Sequence, residues 1–317
     1  MGARAVFVTG DGASQNASSG GSGSDGGEGL EIRQFSRETE GDAVGLVNEY
    51  IASWPYTRPV DAQLIEHWKT LGERYQPNNM LVAYRGGAAR CFLHGEREGD
   101  QHFVHLLALA AGAVEDGVAL LQQVEEQARS GGVRRVCGPT CTSGMFYGGY
   151  ILGLEPYHPH WAAEATEAFV QAGFAISQSD TLMVADMAQP VAPATVPTGY
   201  AIEDGRADAE FGARAFRLVA LFDGEEVATC GGRAYPKLRS HAGRPIGQLG
   251  FVGTDEPHRG RGLATALVTR SIERLREWGA GLALISTGLE NTPALRAYER
   301  AGFRRKHLVT EWSKVVG

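Results

Sequence analysis

One order of secondary-structure elements runs twice along this chain, and that repetition limits its fold more than any bulk property. Ala168-Phe169-Val170-Gln171-Ala172-Gly173-Phe174 lies under Ala297-Tyr298-Glu299-Arg300-Ala301-Gly302-Phe303, an offset of 129 residues. Upstream, Gly132 lies under Gly279 at an offset of 147, so the N-terminal half carries about 18 more residues between these anchors. Between the halves, Pro190, Pro193 and Pro197 mark a linker. Apolar periodicity in the first half predicts a strand at 30–35, a helical region over 38–75, hairpin strands at 80–84 and 89–94, and a strand at 103–110. A helix at 115–129, a strand at 133–137, a helix at 162–171 and a closing strand at 181–186 follow. The second half reads as strands at 200–203, 218–222, 227–235 and 247–254, a helix at 263–278, a strand at 282–286, a helix at 293–301 and a strand at 307–314. Between Glu203 and Leu218 it has room for little helix. The pattern predicts an α/β (mixed-sheet α+β) fold in two tandem domains: a tail over 1–29, a domain over 30–187, a linker over 188–198 and a domain over 199–317.

At 317 residues the chain can bury two cores. Its net charge of −7, with both signs interspersed, argues against a nucleic-acid partner and mildly favours a neutral or cationic one. Cys91, Cys137, Cys141 and Cys230 form no disulfide ladder and are expected to be reduced. His158, Pro159 and His160, or Cys137 and Cys141, lack the further ligands of a metal site, so no metal is expected. With no 18-residue apolar run and no secretory leader, the chain is expected to be cytoplasmic and free of membrane. Residues 10–29, mostly Gly, Ser, Asp and Asn, are expected to be disordered.

The chemistry concentrates at His258-Arg259-Gly260-Arg261-Gly262-Leu263-Ala264, between a strand and a helix. A helix N-terminus carries unpaired N–H groups and about half a positive charge. Glycines let an anion approach them, and arginines add donors for phosphate oxygens. The pattern Arg259-x-x-Gly262-x-Ala264, followed by Asn291, Ala294, Tyr298, Gly302 and Phe303, resembles the GCN5-related N-acetyltransferases (GNAT). The resemblance is dense over 246–317, thinner over 199–245 and traceable over 30–187. It implies two splayed strands with acetyl-CoA between them. Backbone groups around Val252, Gly253 and Thr254 would pair with the acetyl and pantetheine amides. Arg259 and the turn Gly260, Arg261, Gly262, Leu263, Ala264 and Thr265 would hold the pyrophosphate. Asn291 would bond the pantetheine arm, and Tyr298 would protonate the leaving thiolate. The implied reaction is direct acetyl transfer from acetyl-CoA to a primary amine of a small molecule or peptide, by a monomer or homodimer. A longer acyl group, a hydroxyl acceptor, or a non-catalytic CoA- or partner-binding module are the alternatives. Asp255, Glu256, His307 and Glu311 are candidate bases, with none assigned.

The N-terminal half departs from both motifs. The offset of 147 sets Arg259, Gly262 and Ala264 against Gly112, Glu115 and Gly117, and the offset of 129 sets Tyr298 against Phe169. A carboxylate at Glu115 would repel pyrophosphate, and Phe169 has no proton to give. This half is expected to have kept the fold, lost the cofactor, and become a scaffold that completes the acceptor pocket. Its loop Gly138–Trp161, with Phe146, Tyr147, Tyr150, Tyr157, His158, His160 and Trp161, is read either as a ligand wall or as interface packing.

Overall fold

A computed structural model describes residues 6–7, 29–139, 144–147, 158–159, 162–207, 213–236 and 240–316. The N-terminal half contributes β1 (Val6–Phe7), β2 (Leu30–Gln34), α1 (Glu40–Ile51), α2 (Ala62–Thr70), β3 (Met80–Arg85), β4 (Ala88–Glu98), β5 (Gln101–Leu109) and α3 (Val114–Ser130). It continues with β6 (Arg135–Gly138), α4 (Gly144–Tyr147), β7 (His158–Pro159), α5 (Ala163–Gln171) and β8 (Ala175–Asp186). The C-terminal half contributes β9 (Tyr200–Gly205), β10 (Arg214–Phe222), β11 (Glu225–Ala234), β12 (Ile246–Thr254), α6 (Leu263–Glu277), β13 (Leu282–Gly288), α7 (Thr292–Arg300) and β14 (Arg304–Val315). The mixed α/β architecture is the one expected. The helical region over 38–75 is broken at 52–61, where Pro55 and Pro59 disfavour helix. Asp61 restarts it by accepting the N–H groups of Gln63 and Leu64.

The described strands form one sheet, in the order β1-β2-β3-β4-β5-β6-β14-β8-β13-β12-β11-β10-β9, with β7 also on β14. The closing strands are exchanged between the halves. β8 pairs with β13 from Asp186↔Leu282 to Asp180↔Gly288, and on its other edge with β14. β14 in turn pairs with β6, from Arg135↔Val315 to Gly138↔Trp312. The apolar pattern closes the first half with its own strand at 181–186; in the structure β14 lies between β6 and β8. The side chains explain the placement. Met183 and Ala185 enter the C-terminal core, whereas Leu182 and Val184 enter the N-terminal one. A strand that is apolar on both faces is stable only between two cores.

Val6 and Phe7 pair in parallel with Glu31 and Ile32. The rest of the glycine-rich tail up to residue 28 lies outside the described residues. Most of the aromatic loop also lies outside them, including Tyr150, Tyr157, His160 and Trp161. Phe146 and Tyr147 are described and sit fully buried in the N-terminal core, the Phe146 carbonyl accepting Trp68 Nε1 at 2.9 Å. Cys91, Cys137 and Cys230 are buried free thiols. Among the described residues, no helix is long and apolar enough to cross a membrane.

Candidate active site

β12 and β13 pair at three positions only, Ile246, Gly247 and Gln248 against Leu282, Ala283 and Leu284, and then diverge. Beyond that point β12 keeps its ladder with β11 through Thr254, with a bulge opposite Cys230 to Gly232. β13 keeps its ladder with β8. The backbone of β12 past Gln248 therefore turns one unpaired edge toward the gap. A cleft of about 1040 Å³ opens there. Val252, Gly253, Thr254, Arg259, Gly260, Gly262, Leu263, Ala264, Thr265, Asn291 and Tyr298 all line it. Arg261 is exposed and does not line it.

The turn into α6 leaves its first backbone N–H groups uncovered. Gly260 and Gly262 take φ values of +75° and +88°, which side-chain-bearing residues resist. Gly262 is the N-cap and offers no side chain to the first-turn N–H groups, and that turn carries no acidic residue. Arg259 Nε donates to the Thr254 carbonyl at 3.0 Å and ties the turn to β12. His258 Nδ1 meets the Tyr200 hydroxyl at 2.9 Å and ties it to β9. Asn291 caps α7: its Oδ1 accepts the Ala294 N–H at 3.3 Å and its Nδ2 donates to Thr287 Oγ1 at 3.1 Å. Tyr298 is 6% exposed and reaches the cleft from α7. Sequence reasoning missed Thr229 and Glu226 of β11, which line the same cleft, and Phe251, a strand residue left 72% exposed at its edge.

The matching place in the N-terminal half is closely packed. β5 and β6 also pair at only three positions, Gln101 to Phe103 against Arg135 to Cys137. There, however, a β-carbon at Gly138 would collide with the Val104 carbonyl. A β-carbon on Gly117 of α3 would lie 2.6 Å from Leu109 and 3.3 Å from Ala168 of α5. Phe169, in the place of Tyr298, is fully buried and stacks on Trp312 with centroids 5.7 Å apart. Glu115 keeps its expected place in the first turn of α3, and a carboxylate from α5 joins it there. Glu115 is exposed, and it is Glu164 of α5 whose Oε1 accepts the Gly112 N–H at 2.9 Å.

The N-terminal half reaches across the sheet through the segment between α1 and α2. Thr57 and Pro55 carbonyls accept the N–H groups of His241 and Ala242 at 2.7 and 3.1 Å. The Tyr56 hydroxyl meets His307 Nε2 of β14 at 3.3 Å. Of the candidate bases, Asp255 and Glu256 are exposed at the turn. Burial raises the pKa of Glu311, against a hydrogen bond from Ser177 that lowers it. Burial likewise raises that of Asp180, which the sequence did not single out.

Residues 182–303 match the model of the acetyltransferase (GNAT) family. The C-terminal half carries a GNAT-family domain. Stretches of 73, 91 and 69 residues are 33%, 33% and 38% identical to an uncharacterized N-acetyltransferase of Methanocaldococcus jannaschii and to mycothiol acetyltransferases of Cellulomonas flavigena and Corynebacterium aurimucosum. They cover 23%, 28% and 22% of this chain, and only 32%, 26% and 23% of those relatives. The fold is that of tandem GNAT proteins. A GNAT protein of Sphaerobacter thermophilus superposes with a TM-score of 0.65 at 18% identity, covering 90% of this chain and 96% of that one. A tandem GNAT protein from the clavulanic acid biosynthesis pathway gives 0.63 at 17%, covering 91% and 99%.

Proposed function

We propose that the C-terminal half transfers an acetyl group from acetyl-CoA directly to a primary amine, and that the N-terminal half is a scaffold on the acceptor side. One observation carries this reading: the gap between β12 and β13 gathers the glycine turn, Asn291 and Tyr298 around one cleft. In it, the first-turn N–H groups of α6 and Arg259 hold the pyrophosphate. The open edge of Val252 to Thr254 takes the pantetheine amides, and Asn291 adds a carboxamide. A neutral amine attacks the thioester carbonyl. The C–N bond forms and the C–S bond breaks; Tyr298 gives its proton to the departing thiolate, and the proton shed by the attacking nitrogen returns through solvent to the Tyr298 phenolate. The close packing around Gly112, Glu164 and Phe169 supports a single cofactor site. The contacts of Pro55, Tyr56 and Thr57 with the C-terminal half support the scaffold role.

Thiol release from acetyl-CoA, measured over a panel of amines, tests the reading. Tyr298→Phe is expected to lower kcat about a hundredfold while acetyl-CoA binding by titration calorimetry is unchanged. Tight acetyl-CoA binding with no turnover on any acceptor would instead make the protein a binding module.

A further inference from the structure

The wall that α7 gives to the large cleft carries two charges to which the transfer step assigns no task. Arg296 and Arg300 both line the cleft and both are exposed, so their guanidinium groups stand at its mouth. Tyr298, between them in sequence, is buried. Neither arginine side chain makes a hydrogen bond or ion pair to another described residue. The one carboxylate of α7, Glu299, is taken by Arg305 at 2.9 Å. The acidic residues of the cleft, Glu226, Asp255 and Glu256, stand on β11 and on the turn after β12, not on α7. Arg296 and Arg300 are four residues apart, which sets them on one helix face with β-carbons about 6 Å apart. Like charges at that spacing repel and weaken a helix, and an anion held between them removes the penalty. Arg300, in the last turn, also offsets the helix dipole. Arg296 is at mid-helix and has no such compensation.

We infer that Arg296 and Arg300 bind the 3′-phosphate of CoA, so that the donor is recognised at both of its ends. The inference rests on the acetyl-CoA proposed for this cleft. In CoA the pyrophosphate lies between the thiol and the ribose that bears the 3′-phosphate. With the thiol at Tyr298 and the pyrophosphate on the turn into α6, the ribose leaves at the mouth, where the two arginines stand. A phosphate monoester carries close to two negative charges at neutral pH, and guanidinium forks match its oxygens in geometry. The anion belongs to the donor because α6 and α7 pack into one core, Leu267 with Leu295, on which the pyrophosphate turn also sits. The N-terminal half approaches through the segment between α1 and α2 and meets β14 and residues 241–242 instead.

Titration calorimetry on the full chain compares CoA with 3′-dephospho-CoA, which lacks that one group, and needs no acceptor. CoA is expected to bind about 10–100-fold more tightly. Arg296→Gln and Arg300→Gln are each expected to weaken the binding of CoA and to leave that of 3′-dephospho-CoA as it was, which shows at once that the variants fold. The double variant is expected to bind the two ligands equally. Arg296→Lys is expected to keep part of the difference. Equal binding of both ligands by the unaltered protein, or a difference that survives the double variant, would overturn the subsite and leave the cofactor reading standing. Absence of binding by either ligand would overturn the cofactor reading itself, and the subsite with it.

Discussion

His94, His102 and His105 stand on β4 and β5 with at most 2% exposure, in the core of the half that holds no cofactor in the proposed function. Burial lowers the pKa of each. His94 lies well below the usual histidine range, and His105 is lowered despite its 2.9 Å contact with Glu96. His102 is lowered to about 4, with His105 and Arg97 adding to the effect of burial. Its Nε2 has no partner. These groups stay neutral in the folded protein while the unfolded chain takes up protons near pH 6.5. Below that pH the unfolded state binds more protons, so stability falls with pH and levels off once the folded-state pKa is passed. For His102 alone, the drop from 6.5 to about 4 at 1.36 kcal/mol per unit amounts to roughly 3 kcal/mol. Urea unfolding between pH 7 and pH 4 is expected to show this loss, and His102→Gln to flatten the curve. A slope unchanged by the substitution would assign it to other groups.

Two helix starts, α3 and α6, show what a sequence does and does not disclose. The Arg259-x-x-Gly262-x-Ala264 turn was legible because its function depends on local features: glycine at positive φ and a helix start free of acid. The fold class and most helices and strands were legible for a similar reason, since each buries one apolar face with its own period. The plug at α3 was not. Glu164 meets Gly112 from 52 residues away, and nothing local marks that pairing. The exposed Phe251 escaped notice too, because an apolar strand residue reads as core by default. Glu164→Gln is expected to lower stability by about 0.5–1 kcal/mol, by removing a carboxylate from a helix N-terminus. It is not expected to create acetyl-CoA binding at α3, because Ala168 and Leu109 still close on Gly117. Thermal melts and titration of a variant that also carries Arg259→Glu would read both effects. A gain in acetyl-CoA binding there would show that the plug alone had closed the site.

At the scale of the whole molecule, the exchange of β8 and β14 makes the two halves mutually dependent. Residues 199–317 expressed alone lack β8, leaving β13 and β14 with open apolar edges. This fragment is expected to aggregate. The full chain, cut once within 188–198, is expected to stay together on a sizing column and to melt as one unit. A soluble, cooperatively melting C-terminal fragment would contradict this. The exchange was not legible in the sequence, because a strand records how apolar its faces are and not which neighbour it will meet. It also sets the timetable of biogenesis. β14 leaves the ribosome after every other described strand, yet it fills the slot between β6 and β8. Until then a finished N-terminal half would wait with that slot open, exposed to any extended peptide nearby. The final strand therefore acts as a latch, and a nascent chain stalled before residue 304 is the form of this protein most in need of a chaperone.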